Sequence, residues 1–431
     1  MSRFFSSRNT TLRSYKASAG VLAALFFLAP QAVRAQTQRE VEVEFTLRVC
    51  RSGPGLPMAR AERGVGDAEV GAIEPLQNPS LVVEHQQNLS RVSERETIIG
   101  AEIPLALSGR RGLLRDAASA RQRVSEARAN AGLVETALDF RTAFALAVVE
   151  HERARVMQEH QKALEELSNA LQQLSARGET AAYDVRRHQA EVRLHARSLA
   201  AARARAQAAQ RRLAYWLDAP ADAALLTRGG LAHAPSIPSQ KNQHPEVVAL
   251  RGTAEAASLE SDAAQRRWVP EPEIFAGYRQ IASGDATGHG IALGLKIPLT
   301  FFEHGQGTSA RARAERSLAE ARADRLEREF ERELAAASGS LPALEAALQQ
   351  AEQNVAETEK LKESARVLYA AGEASITELL DAYRTGESAA LDRLTALEEL
   401  LSARLAVMRA AGKQFDSELD ESCGSQGNAA Q

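Results

Sequence analysis

The sequence predicts a mostly α-helical protein with a membrane β-barrel part: a β-hairpin followed by a long antiparallel helical hairpin, written twice in tandem. Three observations predict it. The chain repeats at a fixed offset, with Gly100 recurring at Gly294 (294 − 100 = 194), Ile103-Pro104-Leu105 at Ile297-Pro298-Leu299 and Gly178-Glu179 at Gly372-Glu373, as a duplicated unit does. Near the start of each copy, apolar residues alternate with polar or small ones at the strand period. After each alternating stretch comes a 3-4-3-4 apolar spacing that runs far longer than an ordinary helix.

In chain order, residues 1–35 read as a secretory signal. Arg3, Arg8, Arg13 and Lys16 form a basic leader, Ala17 to Ala29 an apolar core, and Val33-Arg34-Ala35 a small-residue cleavage site. No later segment has about 18 consecutive apolar residues, so none predicts a helical membrane span.

The first repeat covers 36–217. In its opening, Arg51-Ser52-Gly53-Pro54-Gly55 interrupts what would otherwise be helical, and Met58 to Ile73 predicts a short helix equivalent to Gly252 to Arg267. A hairpin is expected at about 80–107, with strands from Ser80 to Leu89 and Thr97 to Leu107 joined by a polar loop, Ser90 to Glu96. Ile99, Ala101, Ile103, Leu105 and Leu107 share one face; Ile98, Gly100, Glu102 and Ala106 share the other. Strands of roughly 10 residues suffice to cross a bilayer at a tilt. Helices are expected at about 112–177 and 180–217, the first without Pro and with its seam at Ala117, Ala120, Val124, Ala127, Ala131, Val134 and Leu138, resuming at Leu164, Leu167, Leu171 and Leu174. At about 1.5 Å per residue it reaches roughly 100 Å, some three hydrocarbon thicknesses, so it must project into an aqueous space. Gly178 ends it, as a residue suited to the left-handed position after a helix.

Residues 218–245, with Pro220, Gly229-Gly230, Pro235, Pro238 and Pro245, form a linker. The second repeat, 246–416, follows the same plan: a hairpin at about 273–300 with its loop from Ala282 to Gly288, then helices at about 308–371 and 375–415. One face of its second strand is wholly apolar, with Ile291, Leu293, Leu295, Ile297 and Leu299, and the other carries Ala292, Gly294 and Lys296. Residues 417–431 form a polar tail.

Four strands leave two edges that lipid cannot satisfy, so a spanning sheet has to close by association. Two copies give eight strands, whose interior side chains fill; three give twelve and a lumen. A homotrimer is therefore expected, with Glu102 and Lys296 facing its water.

Composition narrows the function. Lys and Arg number 53 against 56 Asp and Glu, which offers no electrostatic reason for a nucleic-acid partner. No nucleophile, base and oxyanion set is apparent, so no enzyme and no cofactor are expected. His188 and His195 could share a helix face, but no His-x-x-x-His, His-Glu-x-x-His or Cys-x-x-Cys spacing occurs. Surface histidines and no dedicated metal site are the expectation. Cys50 and Cys423 would enter an oxidising compartment and could pair.

In order along the chain, Leu76-Gln77-Asn78-Pro79-Ser80-Leu81, Gly-x-x-Ile-Pro-Leu at 100–105 and again at 294–299, Ser-Gly-Arg-Arg-Gly at 108–112 and Leu-Tyr-Ala-Ala-Gly-Glu-Ala-Ser-Ile-Thr-Glu-Leu-Leu-Asp-Ala at 368–382 resemble the TolC family of outer-membrane efflux channels. Within that family the chain is similar to the CzcC-like heavy-metal branch. The resemblance covers about residues 57–416. It implies a homotrimer whose twelve-stranded barrel sits in outer-membrane lipid and continues into a periplasmic helical tunnel. It also implies a periplasmic adaptor (membrane fusion protein) and an inner-membrane RND-type pump as partners of a passive conduit. Carried over by position, Arg177, Gly178 and Glu179, with Ala371, Gly372 and Glu373, are the adaptor-docking tips. Asp184, Glu378 and Asp381 are gate candidates whose triplicated rings would favour cations. The competing account is of solvated charges and first-turn acids favoured by the helix dipole. Cys50 lies well past the apolar core, so the lipid anchor of many relatives is not expected. The rival class is a periplasmic adaptor or structural coiled-coil protein, but adaptors usually carry one helical hairpin flanked by many short strands.

Overall fold

The computed structural model describes residues 31–73, 77–88, 94–178, 180–219 and 244–413, with backbone alone over 31–41. Most of the signal segment and of the linker, together with Glu179 and the polar tail, lies outside the described residues. The chain opens with α1 (Gln31–Ser52) and α2 (Gly55–Gly71). The stretch that sequence left unread is therefore helical on both sides of one break. At Gly53 a side chain would meet the Val49 carbonyl oxygen at 2.3 Å, and Pro54 takes the N-cap of the new helix, so the helix restarts after the break.

Next come β1 (Ser80–Gln87), β2 (Glu94–Pro104), α3 (Arg110–Ala176) and α4 (Ala182–Trp216). The second copy supplies α5 (Pro245–Gln265), β3 (Glu273–Ser283), β4 (Ala286–Lys296), α6 (Gln306–Ala370) and α7 (Ile376–Ala411). The two hairpins form one sheet: β2 pairs antiparallel with β3 from Glu94 opposite Ser283 to Pro104 opposite Glu273, in the order β1-β2-β3-β4. The expected loop over 282–288 is corrected to a two-residue turn, because Ser283 pairs with Ala286 and only Gly284 and Asp285 lie between them. Gly284 has φ 58°, the left-handed first turn position that a glycine meets without strain. Gly288, His289 and Gly290 look loop-like by composition, but pairing with Ile281, Gln280 and Arg279 makes them strand. In the first hairpin the strands end at Gln87 and resume at Glu94. Gly100 faces Gly277 across β2 and β3, and the Phe275 ring lies over both, so a Cβ on either would come within 2.7 Å of it.

Helix α3 is the spine, with α2 and α5 along its sheet-proximal half and α4 and α7 along the distal half; α6 packs on α5 and α7. The return helices are short, 35 and 36 residues against 67 and 65 for the outgoing ones, so both stop near mid-length. There a waist forms. Val49 of α1, Phe140, Phe144 and Val148 of α3, and Leu213 and Leu217 at the end of α4 bury one another. The seam read from sequence is displaced in this region. Ala127, Ala131 and Val134 are half-buried, whereas Ala129, Leu133, Ala137 and Phe140 are buried. A helix packed on several neighbours buries more than one 3.5-residue stripe.

The waist also holds a buried ion pair. Arg141 Nε donates to Glu42 Oε1 at 2.7 Å and its Nη1 to Met408 Sδ at 3.3 Å, with the charged side chains 9% and 6% exposed. Truncation leaves Glu42 charged and unpaired, so Arg141→Ala is expected to destabilise the fold by about 3–5 kcal/mol. Chemical denaturation of the purified protein, with exposed Arg328→Ala as reference, measures this.

Candidate functional site

The register sorts the sheet into two unlike faces. On one, Leu81, Ala101, Ala276 and Leu293 form a row, then Val83, Ile99, Tyr278 and Ile291, with Ile103, Ile274 and Leu295 on the other side of the first. The large side chains in these rows are exposed, Ile291 by 81% and Leu293 by 79%. Leaving such a side chain in water forgoes about 1.5–3 kcal/mol, which makes this face a contact surface for something apolar. His85, Thr97, Gln280 and His289 form a polar row that bounds the band at the hairpin end. There His85 Nδ1 bonds Thr97 Oγ1 at 2.9 Å and the Tyr278 hydroxyl bonds His289.

The opposite face is small and ionic. Lys296 Nζ donates to Glu273 Oε2 at 2.8 Å and to Glu102 Oε1 at 3.5 Å, and Arg279 Nε to Glu96 Oε1 at 2.5 Å. The two lumen candidates therefore meet across β3. Glu273, which completes the cluster, carries no sequence signal, since only the register puts it opposite Lys296.

At the far end of the rods, Gly178 and Gly372 close α3 and α6 with φ of 76° and 77°. Gly372 N–H donates to the Tyr369 carbonyl at 3.1 Å and Glu373 N–H to that of Leu368 at 2.9 Å, while Gly178 N–H donates to that of Ser175 at 3.0 Å. The Gly372 and Glu373 bonds are those of a left-handed helix cap. Arg177, Gly178, Ala371, Gly372 and Glu373 are exposed there. Asp184 sits in the first turn of α4, where the dipole favours its charge, and Asp381 is exposed on α7. Glu378 is already engaged. It accepts from Ser375 N–H at 2.6 Å while Ser375 Oγ accepts from its own N–H at 3.3 Å, a capping box. The bond from the Ser375 backbone, first among the causes, holds its carboxyl below the usual range.

The histidines correct the expectation of surface positions. His188 is buried, with Nε2 bonded to the Leu164 carbonyl at 2.8 Å. His160 of α3, His195 of α4 and Glu387 of α7 converge, with one ligand-type atom from each lying within 4.8 Å of the others. His195 Nε2 is 2.7 Å from Glu387 Oε1 and His160 Nε2 is 3.3 Å from Glu387 Oε2. Burial, partly opposed by Glu387, lowers the His160 pKa to about 4, so its imidazole is neutral at neutral pH. Three helices supply the group at separations of 35 and 192 residues (195 − 160, 387 − 195), which no local spacing could reveal. Cys50 is buried and disulfide-bonded; the chain's other cysteine, Cys423, lies outside the described residues.

Residues 237–413 match the family model described as outer membrane efflux protein. Comparison with curated proteins finds no match. Among solved structures, the outer membrane protein VceC of Vibrio cholerae is 17% identical with TM-score 0.68, the match covering 89% of this chain and 98% of that one. MtrE of Neisseria gonorrhoeae, an outer membrane channel in its open state, is 16% identical with TM-score 0.69, covering 87% and 89%. CusC, whose crystal structures concern conformational changes accompanying folding and transmembrane channel formation, is 14% identical with TM-score 0.71, covering 87% and 92%. The fold is theirs.

Proposed function

We propose that this chain, which belongs through its second repeat to the outer membrane efflux protein family, is one third of a passive export duct of TolC type. One observation carries the reading: a four-stranded sheet with an exposed apolar face and two unpaired edges is joined to helices of 67 and 65 residues. Three such sheets close into twelve strands with the apolar band turned to outer-membrane lipid and the Glu102, Lys296 and Glu273 face turned to water. The helices, roughly 100 Å long, then enclose a tunnel across the periplasm. Helix α6 supports association as well. Of its 65 residues just Ser309, Ala312, Ala319, Ala323, Thr358 and Ala365 are buried in the single chain, and neighbouring copies would cover more.

In this reading Arg177 to Glu179 and Ala371 to Glu373 dock a periplasmic adaptor, which couples the duct to an inner-membrane RND-type pump. Asp184 and Asp381 ring the constriction as gate acids, and Glu378 shapes its helix start. We assign heavy-metal cations as cargo on the CzcC-like resemblance of residues 368–382. No reaction is catalysed. Purified protein is expected as trimers in the outer-membrane fraction that conduct ions across a planar bilayer. Recovery with the inner membrane, or as a soluble monomer, would favour the adaptor class and overturn the duct.

A further inference from the structure

We propose that His160, His195 and Glu387 form a binding site for one zinc-class divalent cation, which clamps α3, α4 and α7 together between the waist and the tips. The hydrogen-bond arithmetic around His195 carries the inference. Gln161 Nε2 donates to Glu165 Oε1 at 2.7 Å, which turns Gln161 Oε1, an acceptor, toward His195 Nδ1 at 2.8 Å. Nδ1 therefore carries the hydrogen. A neutral His195 then aims its Nε2 lone pair at Glu387 Oε1, 2.7 Å away, so two acceptors face each other. A cation between them resolves the conflict. A ligating imidazole that gives its other N–H to a carbonyl is the usual support of a metal site.

The second imidazole fits the same centre. His160 Nε2 lies 3.3 Å from Glu387 Oε2, and tetrahedral zinc with bonds of about 2.0–2.1 Å spaces its donors by about 3.3 Å. Two imidazoles and one carboxylate are a recognised zinc set that keeps a fourth position for water. Imidazole also suits copper and nickel, whereas calcium and magnesium prefer all-oxygen cages. The side chains of His160, His195 and Glu387 are 6%, 11% and 13% exposed, so the site is shielded but not sealed. The nearby cations are already paired, Lys362 with Glu359 at 2.6 Å and Arg384 with Glu191 at 2.5 Å. This site is separate from any cargo path and is independent of what the duct exports.

The test uses the full-length protein in detergent, stripped with EDTA and titrated with Zn²⁺ or Co²⁺ alone. One tight ion per chain is expected, with Co²⁺ giving the visible absorption of a tetrahedral site. Gln161→Ala, which removes the support, should weaken binding by roughly 10–100-fold; His160→Gln and His195→Gln should weaken it more, and exposed His151→Gln not at all. Should the ligand variants misfold, X-ray absorption of the zinc-loaded wild type must still report two imidazoles and a carboxylate. Wild type that takes up no stoichiometric ion, or that binds it equally well in His195→Gln, overturns the site and leaves a charged His195 paired with Glu387.

Discussion

Leu293→Arg is expected to abolish trimers in the outer membrane while leaving the helical body folded. Leu293 stands in the middle of the apolar face, 79% exposed in the single chain, between Ala276 across the strand pair and Ile291 and Leu295 along its own strand. An arginine at the midplane of a lipid-facing barrel surface costs about 2–4 kcal/mol, and threefold repetition raises that to roughly 6–12 kcal/mol per assembly. Few assemblies have that reserve. Ala292→Arg, one residue along and on the opposite face, meets water in the same barrel and should assemble. Immunoblots of unheated outer-membrane fractions read both. Equal trimer yields from the two variants would mean that the apolar face does not meet lipid.

The second large effect is expected at the tips. Gly178→Val with Gly372→Val should remove export activity without lowering trimer yield. A side chain at either glycine would meet nothing within 4 Å, so the damage comes from backbone conformation alone. At φ of 76° and 77° a β-branched residue is strained by about 1–3 kcal/mol, enough to unwind a cap held by a few carbonyl bonds. Asparagine tolerates the left-handed region, so Gly178→Asn with Gly372→Asn should retain export. A resistance assay in cells that supply the cognate adaptor and pump separates the pairs. Full export by the valine pair would show that tip shape has no part in docking.

Much of this was legible because the signals are local. The alternation from Ile291 to Leu295 and the long seam of α3 follow from side-chain periods of 2 and 3.6 residues, and the tip glycines from the handedness of L-residues. Composition misled at Gly288-His289-Gly290, where cross-strand pairing overrode loop-like chemistry. It failed also at 36–56, where Gly53-Pro54 looked like a loop and is a break between two helices.

The sequence by itself determined the duplicated plan, the apolar strand face and the length of the rods, because each is written in residues a few positions apart. Tertiary structure alone decided that β2 joins β3, that Arg141 is buried against Glu42, and that His160, His195 and Glu387 meet. Those pairings depend on where helices cross and how strands register, and groups 35 to 192 residues apart leave no periodic trace of a contact made only by packing.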